Sequence, residues 1–350
     1  MAHGVYRIGI VGASSLAGKE LTDVLSESQL GASDFVLLDD EALIGKITAA
    51  GDEIAVIQQL DASSFERMDF AFFTNSADMA AANWQSARKA GASIVDLTYA
   101  LEGQKDVLVL SPWVEEALAG KGTPGRTMPD LGTPAVVTAH PAAVILALLA
   151  ARLKSVGLIH LAATVMEPAS EYGRPAMDEL HQQTVNLLSF QTLPKEQYDA
   201  QVSFNLLPAL GEAAKIKLAA TQQRIVEQYE VMAAGRLPEL TVQVVHAPVF
   251  HGYVASVLIE LEYPAMVTQV EAALAGAHVD VVTIKSDPPS NLSAAGQENI
   301  LVQVTKATAD EGAARRFWVW LAADNLKLHM LNAVACAQEL RRLRPQSKVQ

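Results

Sequence analysis

Apolar positions in the first 130 residues come in short runs broken by polar, helix-forming stretches. YRIGIVG (6–12) is a β-rich run that ends in glycine, and AGKELTDVLSES follows it with helix formers. FVLLD (35–39), DFAFFT (69–74) and SIVDL (93–97) are further strand-like runs. MAAANWQSARKAG (79–91), between the last two, has helical periodicity and a terminal glycine. Strands alternating with helices predict right-handed crossovers and a parallel sheet. After Pro134 the pattern changes. LIHLAATVM (158–166), VQVVHAPV (242–249) and YVASVLIELEY (253–263) are long strands, weaker ones fall near 279–284 and 300–305, and FWVWLA (317–322) ends the series. Helices are expected at about 174–190 and 222–234, and an apolar one over 324–343. Long strands with fewer helices predict an α+β domain on one broad mixed sheet.

The first strand runs into Gly12-Ala13-Ser14-Ser15-Leu16-Ala17-Gly18. Glycines where a strand turns into a helix expose backbone N–H groups at a helix N-terminus, which suits phosphate. Gly12 allows the tight turn and Gly18 close helix–strand packing. The middle glycine of a dinucleotide loop falls on Ser15, whose side chain would crowd the pyrophosphate or bond to it. Asp39, ending the second strand, stands where a carboxylate binds an adenosine ribose diol and repels a 2′-phosphate. The expected fold is therefore α/β: a Rossmann-like dinucleotide-binding domain over 1–133 with 324–343, and an α+β dimerisation or former substrate domain over 134–323. The cofactor residues are Gly12, Ser14, Ser15, Leu16, Ala17, Gly18 and Asp39, with NAD preferred to NADP if a nucleotide is held at all.

Composition narrows the partners. The net charge of −13 opposes nucleic acid and anionic membranes, and the one basic cluster, RRLR (341–344), is short. The single cysteine, Cys336, cannot form an intrachain disulfide and lies in an apolar helical stretch, so a buried structural thiol is expected. VVTAHPAAVILALLAARL comes nearest to a membrane span, but His140, Pro141 and Arg152 interrupt it. No signal-like N-terminal segment is apparent, which makes a cytoplasmic location the expectation.

Six segments in order carry a resemblance: IGIVGASSLAGKE, SIVDLTYALE, SEYGRPAMDEL, FNLLP, HAPVFHGY and the late ADNL. The chain resembles the aspartate-semialdehyde dehydrogenase family over nearly its whole length, and most of all that family's Usg-type paralogues. The resemblance implies a reaction in which a cysteine attacks an acyl or aldehyde carbon, a histidine shuttles protons, arginine holds the substrate carboxylate, and hydride moves to or from a nicotinamide. Those roles fall on altered residues. The Asn-Pro-Asn-Cys-Ser-Thr nucleophile loop falls on His140 to Ile145, with the cysteine at Ala143. A methyl group cannot be a nucleophile. The orienting glutamine falls on Glu167, followed by Ser170, Gly173 and Arg174. The substrate arginine falls on His246, and the acid–base histidine on Tyr253, a poor base at neutral pH.

Other positions depart in the same direction. The phosphate-binding arginine falls on Glu102, the Glu-x-x-Lys pair on Thr221 and Arg224, and a Gly-Gly cofactor pair on Ser76 and Ala77. A Gly-Ala-Ala turn falls around Leu328, His329 and Met330, where large side chains would crowd the nicotinamide. The 2′-phosphate arginine falls on Ala42, counting back from Gly45 and Lys46. The family's own reaction is therefore not expected. A homodimer that keeps the fold in a binding or regulatory role is expected instead. The alternative is changed chemistry at His246, His251 and Glu167. Their spacing supports no metal site, because strand neighbours facing one side are two residues apart.

Overall fold

The computed structural model describes residues 6–31, 34–40, 45, 47–50, 53–119, 128–308 and 312–344. It divides into two units, residues 1–139 with 329–350 and residues 140–328. Ala42 and Lys46 lie outside the described residues.

The first unit contains strands β1 (Arg7–Val11), β2 (Asp34–Asp39), β3 (Ile47–Ala50), β4 (Glu53–Val56), β5 (Gln58–Gln59), β6 (Phe70–Phe73), β7 (Ser93–Asp96), β8 (Leu108–Leu110) and β9 (Val136–Thr138). Its helices are α1 (Leu16–Glu27), α2 (Ala77–Lys89) and α3 (Pro112–Ala119). An all-parallel seven-stranded sheet has the order β5-β2-β1-β6-β7-β9-β8, while β3 and β4 pair as a hairpin. From β1 the chain goes out to β2 and β5 on one side and returns to β6 on the other, so the strand order reverses beside β1. Ile8 and Ile10 pack on one face with Leu21, Leu25, Ala333 and Cys336. Val11, Ala71 and Phe73 pack on the other with Trp84 and Leu101. Burial on both faces explains why these strands are apolar runs rather than alternations.

The second unit contains β10 (Leu158–Glu167), β11 (Leu240–His246), β12 (Tyr253–Ala265), β13 (Val279–Val281), β14 (Ile300–Lys306) and β15 (Ala314–Ala323). Its helices are α4 (Pro141–Leu153), α5 (Gly173–Leu188), α6 (Leu218–Ala233), α7 (Val267–Leu274) and α8 (Asn291–Ala294); α9 (Asn325–Leu343) then carries the chain back to the first unit. The sheet is mixed, in the order β11-β10-β12-β15-β14-β13, with β10–β11 and β13–β14 parallel and the other pairs antiparallel. β12 alternates buried and half-buried residues along Tyr253–Leu261, as a strand with one covered face should. The near-membrane stretch resolves into β9 followed by α4, in which every residue but Arg152 is buried. An all-round apolar helix is what a core position demands. No helix among the described residues is long and apolar enough to cross a membrane.

Candidate functional site

Two places gather chemistry, one in each unit. In the first, the chain leaves β1 and turns at Gly12, φ 85°, where a Cβ would stand 2.5 Å from the Cβ of Asn75. Only glycine fits that turn. At Gly18 a Cβ would stand 2.4 Å from the Gly12 carbonyl oxygen, so α1 sits directly on the loop. Ser15 is the N-cap of α1, and its Oγ accepts the Gly18 N–H at 2.9 Å. The hydroxyl oxygen expected to crowd or bond a pyrophosphate is thus used to start the helix. Asp39 is buried, and its carboxylate accepts the N–H groups of Ser14 (2.8 Å) and Asp40 (3.0 Å). One N–H expected to face phosphate is therefore held by this acid. Leu16 and Ala17 occupy the first turn of α1, where N–H groups have no intrahelical acceptor.

Beside this loop is a cleft of about 410 Å³ lined by Asp39, Asp40, Gln59, Leu60, Ser76, Asp78, Met79 and Asn83. The carboxylates and amides in the lining are groups that hydrogen-bond a ribose diol, and Leu60 and Met79 add apolar surface. Three carboxylates in the lining would repel a phosphate placed among them. Asp78, from the first turn of α2, was not singled out by the sequence, because only the fold brings it to the same cleft as Asp39.

In the second unit, the ends of β10 and β11 and the start of β12 meet at one end of the sheet. Glu167 lies beside His246 in register, and Val254 pairs with Met166. Glu167 is fully buried. Its Oε2 accepts the Tyr172 hydroxyl at 2.5 Å, and its Oε1 has no hydrogen-bond partner among the described residues. Burial, reinforced by the nearby charge of Glu171, pushes its carboxyl up to about 8. His246 is also fully buried, with both ring nitrogens lacking a partner among the described residues and its ring 4.7 Å from that of Tyr198. Burial lowers it to about 4, so it is a neutral imidazole. Burial above all holds the Tyr172 hydroxyl well above the usual tyrosine value, with Glu167 adding to the effect.

His140 caps α4. Its Nδ1 accepts the Ala142 N–H at 3.2 Å, so the proton is on Nε2, 3.1 Å from Glu171 Oε1. Its backbone N–H donates to Gln228 Oε1 at 2.5 Å. Ala143 follows in the first turn of α4, fully buried. The Tyr253 ring lies 6.3 Å from that of His140. Asn325 Nδ2 donates to Glu171 Oε2 at 3.2 Å, and Asn325 Oδ1 accepts from Ser170 Oγ and the Gly252 N–H, each at 3.1 Å. His251 stands apart from Glu167 and His246 in its bonding: Nδ1 is 3.0 Å from Ser170 Oγ and Nε2 is 2.9 Å from Asp324 Oδ2. Burial of Asp324 favours the neutral acid, but hydrogen bonds from His251, Lys327 and Gly296 outweigh it and hold the carboxyl below its usual value. Among the described residues no three His, Cys, Asp or Glu side chains are grouped to hold a metal ion. Cys336 is buried in the first unit's core and burial pushes its thiol up, so it offers no substitute thiolate.

Two family models match this architecture: the semialdehyde dehydrogenase NAD binding domain over residues 7–121 and the semialdehyde dehydrogenase dimerisation domain over 148–328. The chain belongs to the aspartate-semialdehyde dehydrogenase family. It is 28% identical over 337 residues to a USG-1 protein homolog of Pseudomonas aeruginosa, covering 95% of this chain and 97% of that protein. An aspartate-semialdehyde dehydrogenase of Rickettsia bellii is 25% identical over 344 residues, with 96% and 97% covered. Among solved structures, one described as a probable aspartate-semialdehyde dehydrogenase from Pseudomonas aeruginosa superposes with TM-score 0.82 at 26% identity, over 97% of this chain and 99% of that one.

Within the family's plan, the sequence missed the roles of Glu171 and Tyr172. Their side chains reach Glu167, His140, Asn325 and Thr221, filling space beside Ala143's helix turn and the end of β10. The signal was present as two large residues in SEYG; their partners, far apart in sequence, were not.

Proposed function

We propose that this family member does not perform phosphate-dependent oxidation of an aldehyde, and that it is a homodimeric binding protein whose first unit takes NAD or a related adenine nucleotide in preference to NADP. Ala143 carries the first part of this reading. At the position of the family's nucleophile stands a methyl group in the buried first turn of α4. Around it, Glu167 is a protonated acid at neutral pH and His246 a neutral imidazole, so neither supplies the positive charge that holds a carboxylate. His251, with its ring nitrogens facing Ser170 and Asp324, is poorly placed to join Glu167 and His246 in a replacement site.

The nucleotide preference is supported by Asp39, Asp40 and Asp78 around one cleft. Dimerisation is supported by the match to the dimerisation domain and by the uncovered face of the mixed sheet, where Leu258 pairs with Trp318, 43% exposed. The purified chain should show no NAD- or NADP-linked turnover of aspartate semialdehyde with phosphate. Ala143→Cys alone should leave it inactive, since Glu102, His246 and Tyr253 remain. Turnover like that of an ordinary dehydrogenase would overturn the reading. Light scattering should give twice the 37.3 kDa chain mass.

A further inference from the structure

At the carboxyl ends of the first unit's strands there is a cleft beside β2 and β5, and a pair of stacked rings beyond β7. A dinucleotide on a doubly wound sheet spans the point where strand order reverses, with one nucleoside on each side of the glycine loop, beyond the carboxyl ends of the strands. Here β2 lies on one side of β1, and β6 and β7 lie on the other. The 410 Å³ cleft is lined from the ends of β2 and β5 and from Ser76, Asp78, Met79 and Asn83 at the start of α2.

Beyond the carboxyl end of β7 stand two rings. Tyr99, three residues after the strand, has φ 63°, a conformation rare for an aromatic residue. Its ring stacks on His329 of α9, with centroids 5.7 Å apart and planes within 8° of parallel. His329 is itself buried. The loop that carries Tyr99 is fixed from below. The buried carboxylate of Asp96 accepts the N–H groups of Thr98 (2.8 Å) and Leu101 (2.9 Å) and the Thr98 hydroxyl (2.6 Å). Moving the Tyr99 backbone aside therefore means breaking hydrogen bonds to a buried acid.

We propose that the first unit binds an adenosine mono- or diphosphate as its whole ligand, with the Tyr99–His329 stack excluding the second nucleoside of a dinucleotide. The adenosine half meets Asp39, Asp40 and Asp78, and the phosphate meets the first turn of α1 at Leu16 and Ala17. This rests on the reading that the first unit holds an adenine nucleotide at all, and the two can fail separately.

The test is calorimetric titration of the full chain with ADP, NAD and nicotinamide mononucleotide. ADP is expected to bind, NAD to bind no more tightly than ADP, and the mononucleotide not to bind. Tyr99→Gly combined with His329→Ala should strengthen NAD binding at least 10-fold while leaving ADP unchanged. The glycine suits the left-handed backbone at position 99, and the alanine suits a helix, so the variant is expected to fold. NAD binding 10-fold tighter than ADP in the native chain overturns the half-site but keeps the nucleotide reading. An unchanged NAD affinity in the double variant overturns the role of the stack. Failure of every nucleotide to bind overturns both readings together.

Discussion

The loop after β1 and the sheet end at β10–β11 belong to one chain but keep their chemistry in different currencies. At the loop it lies in the backbone: Gly12 and Gly18 set the path, and the Leu16 and Ala17 N–H groups at the start of α1 have no intrahelical acceptor. Ser15 in place of a glycine still yields a capped helix. At the sheet end it lies in side-chain identity. The strand ends there carry Glu167, His246 and Tyr253, and on the proposed reading the chemistry of that end changes with each of those side chains. On the proposed reading, the scaffold outlasts its reaction in one region while the other keeps a ligand-binding shape.

The sharpest way to test that comparison is to titrate the sheet end. Glu167 has a carboxyl raised from 4.5 to about 8. Such a group favours folding fully below pH 4.5, and that contribution is lost as pH rises through about 8. Glu167→Gln removes the titration while keeping an acceptor for the Tyr172 hydroxyl. Chemical denaturation at pH 9 should find the variant more stable than the native chain by an amount on the order of 3–5 kcal/mol, with the difference closing near pH 4. Parallel pH profiles for the two proteins would show that Glu167 is solvated or paired as a carboxylate.

His246 works in the opposite window. Its imidazole is lowered from 6.5 to about 4, so its contribution is present above pH 6.5 and is lost as pH falls through about 4. His246→Leu should remove about 3 kcal/mol of acid sensitivity. Because neither ring nitrogen has a partner among the described residues, an apolar replacement orphans no donor or acceptor there. At pH 7 the variant should be as stable as the native chain or slightly more so. A loss of more than about 2 kcal/mol at pH 7 would mean the imidazole makes a hydrogen bond that matters.

The sequence made the same two regions unequally legible. Strands with clear alternation or apolar runs, such as Tyr253–Ala265 and Phe70–Phe73, match the segments expected from pattern. Leu108–Leu110 and Val136–Thr138 do not show a period because each is three residues long, and their pairing is fixed only by the sheet. Helix Pro141–Leu153 lacks a polar face because it has no solvent face, so periodicity could not mark it. At the candidate sites, glycine spacing exposed the loop, since backbone geometry restricts residue type locally. The hydrogen bonds of His140 to Glu171 and of Ser170 to Asn325 left no such trace, because they join residues that only the tertiary fold brings together.

The smallest effect tests how far the loop depends on its one unusual side chain. Ser15 Oγ satisfies the Gly18 N–H at 2.9 Å, one of the donors that the first turn of a helix leaves unpaired. Ser15→Ala removes that acceptor and should cost about 1 kcal/mol of stability. Ser15→Gly should cost only a few tenths, since glycine is tolerated at an N-cap. Neither change touches Gly12 or Gly18, so the turn should survive in both. If the loop's chemistry belongs to the backbone, ADP affinity in titrations should stay within about threefold of native for the glycine variant despite the missing hydroxyl, a difference of at most about 0.7 kcal/mol. A tenfold loss would assign the phosphate contact to the serine hydroxyl itself. The loop would then resemble the sheet end after all, with its ligand held by a side chain that a single substitution can erase.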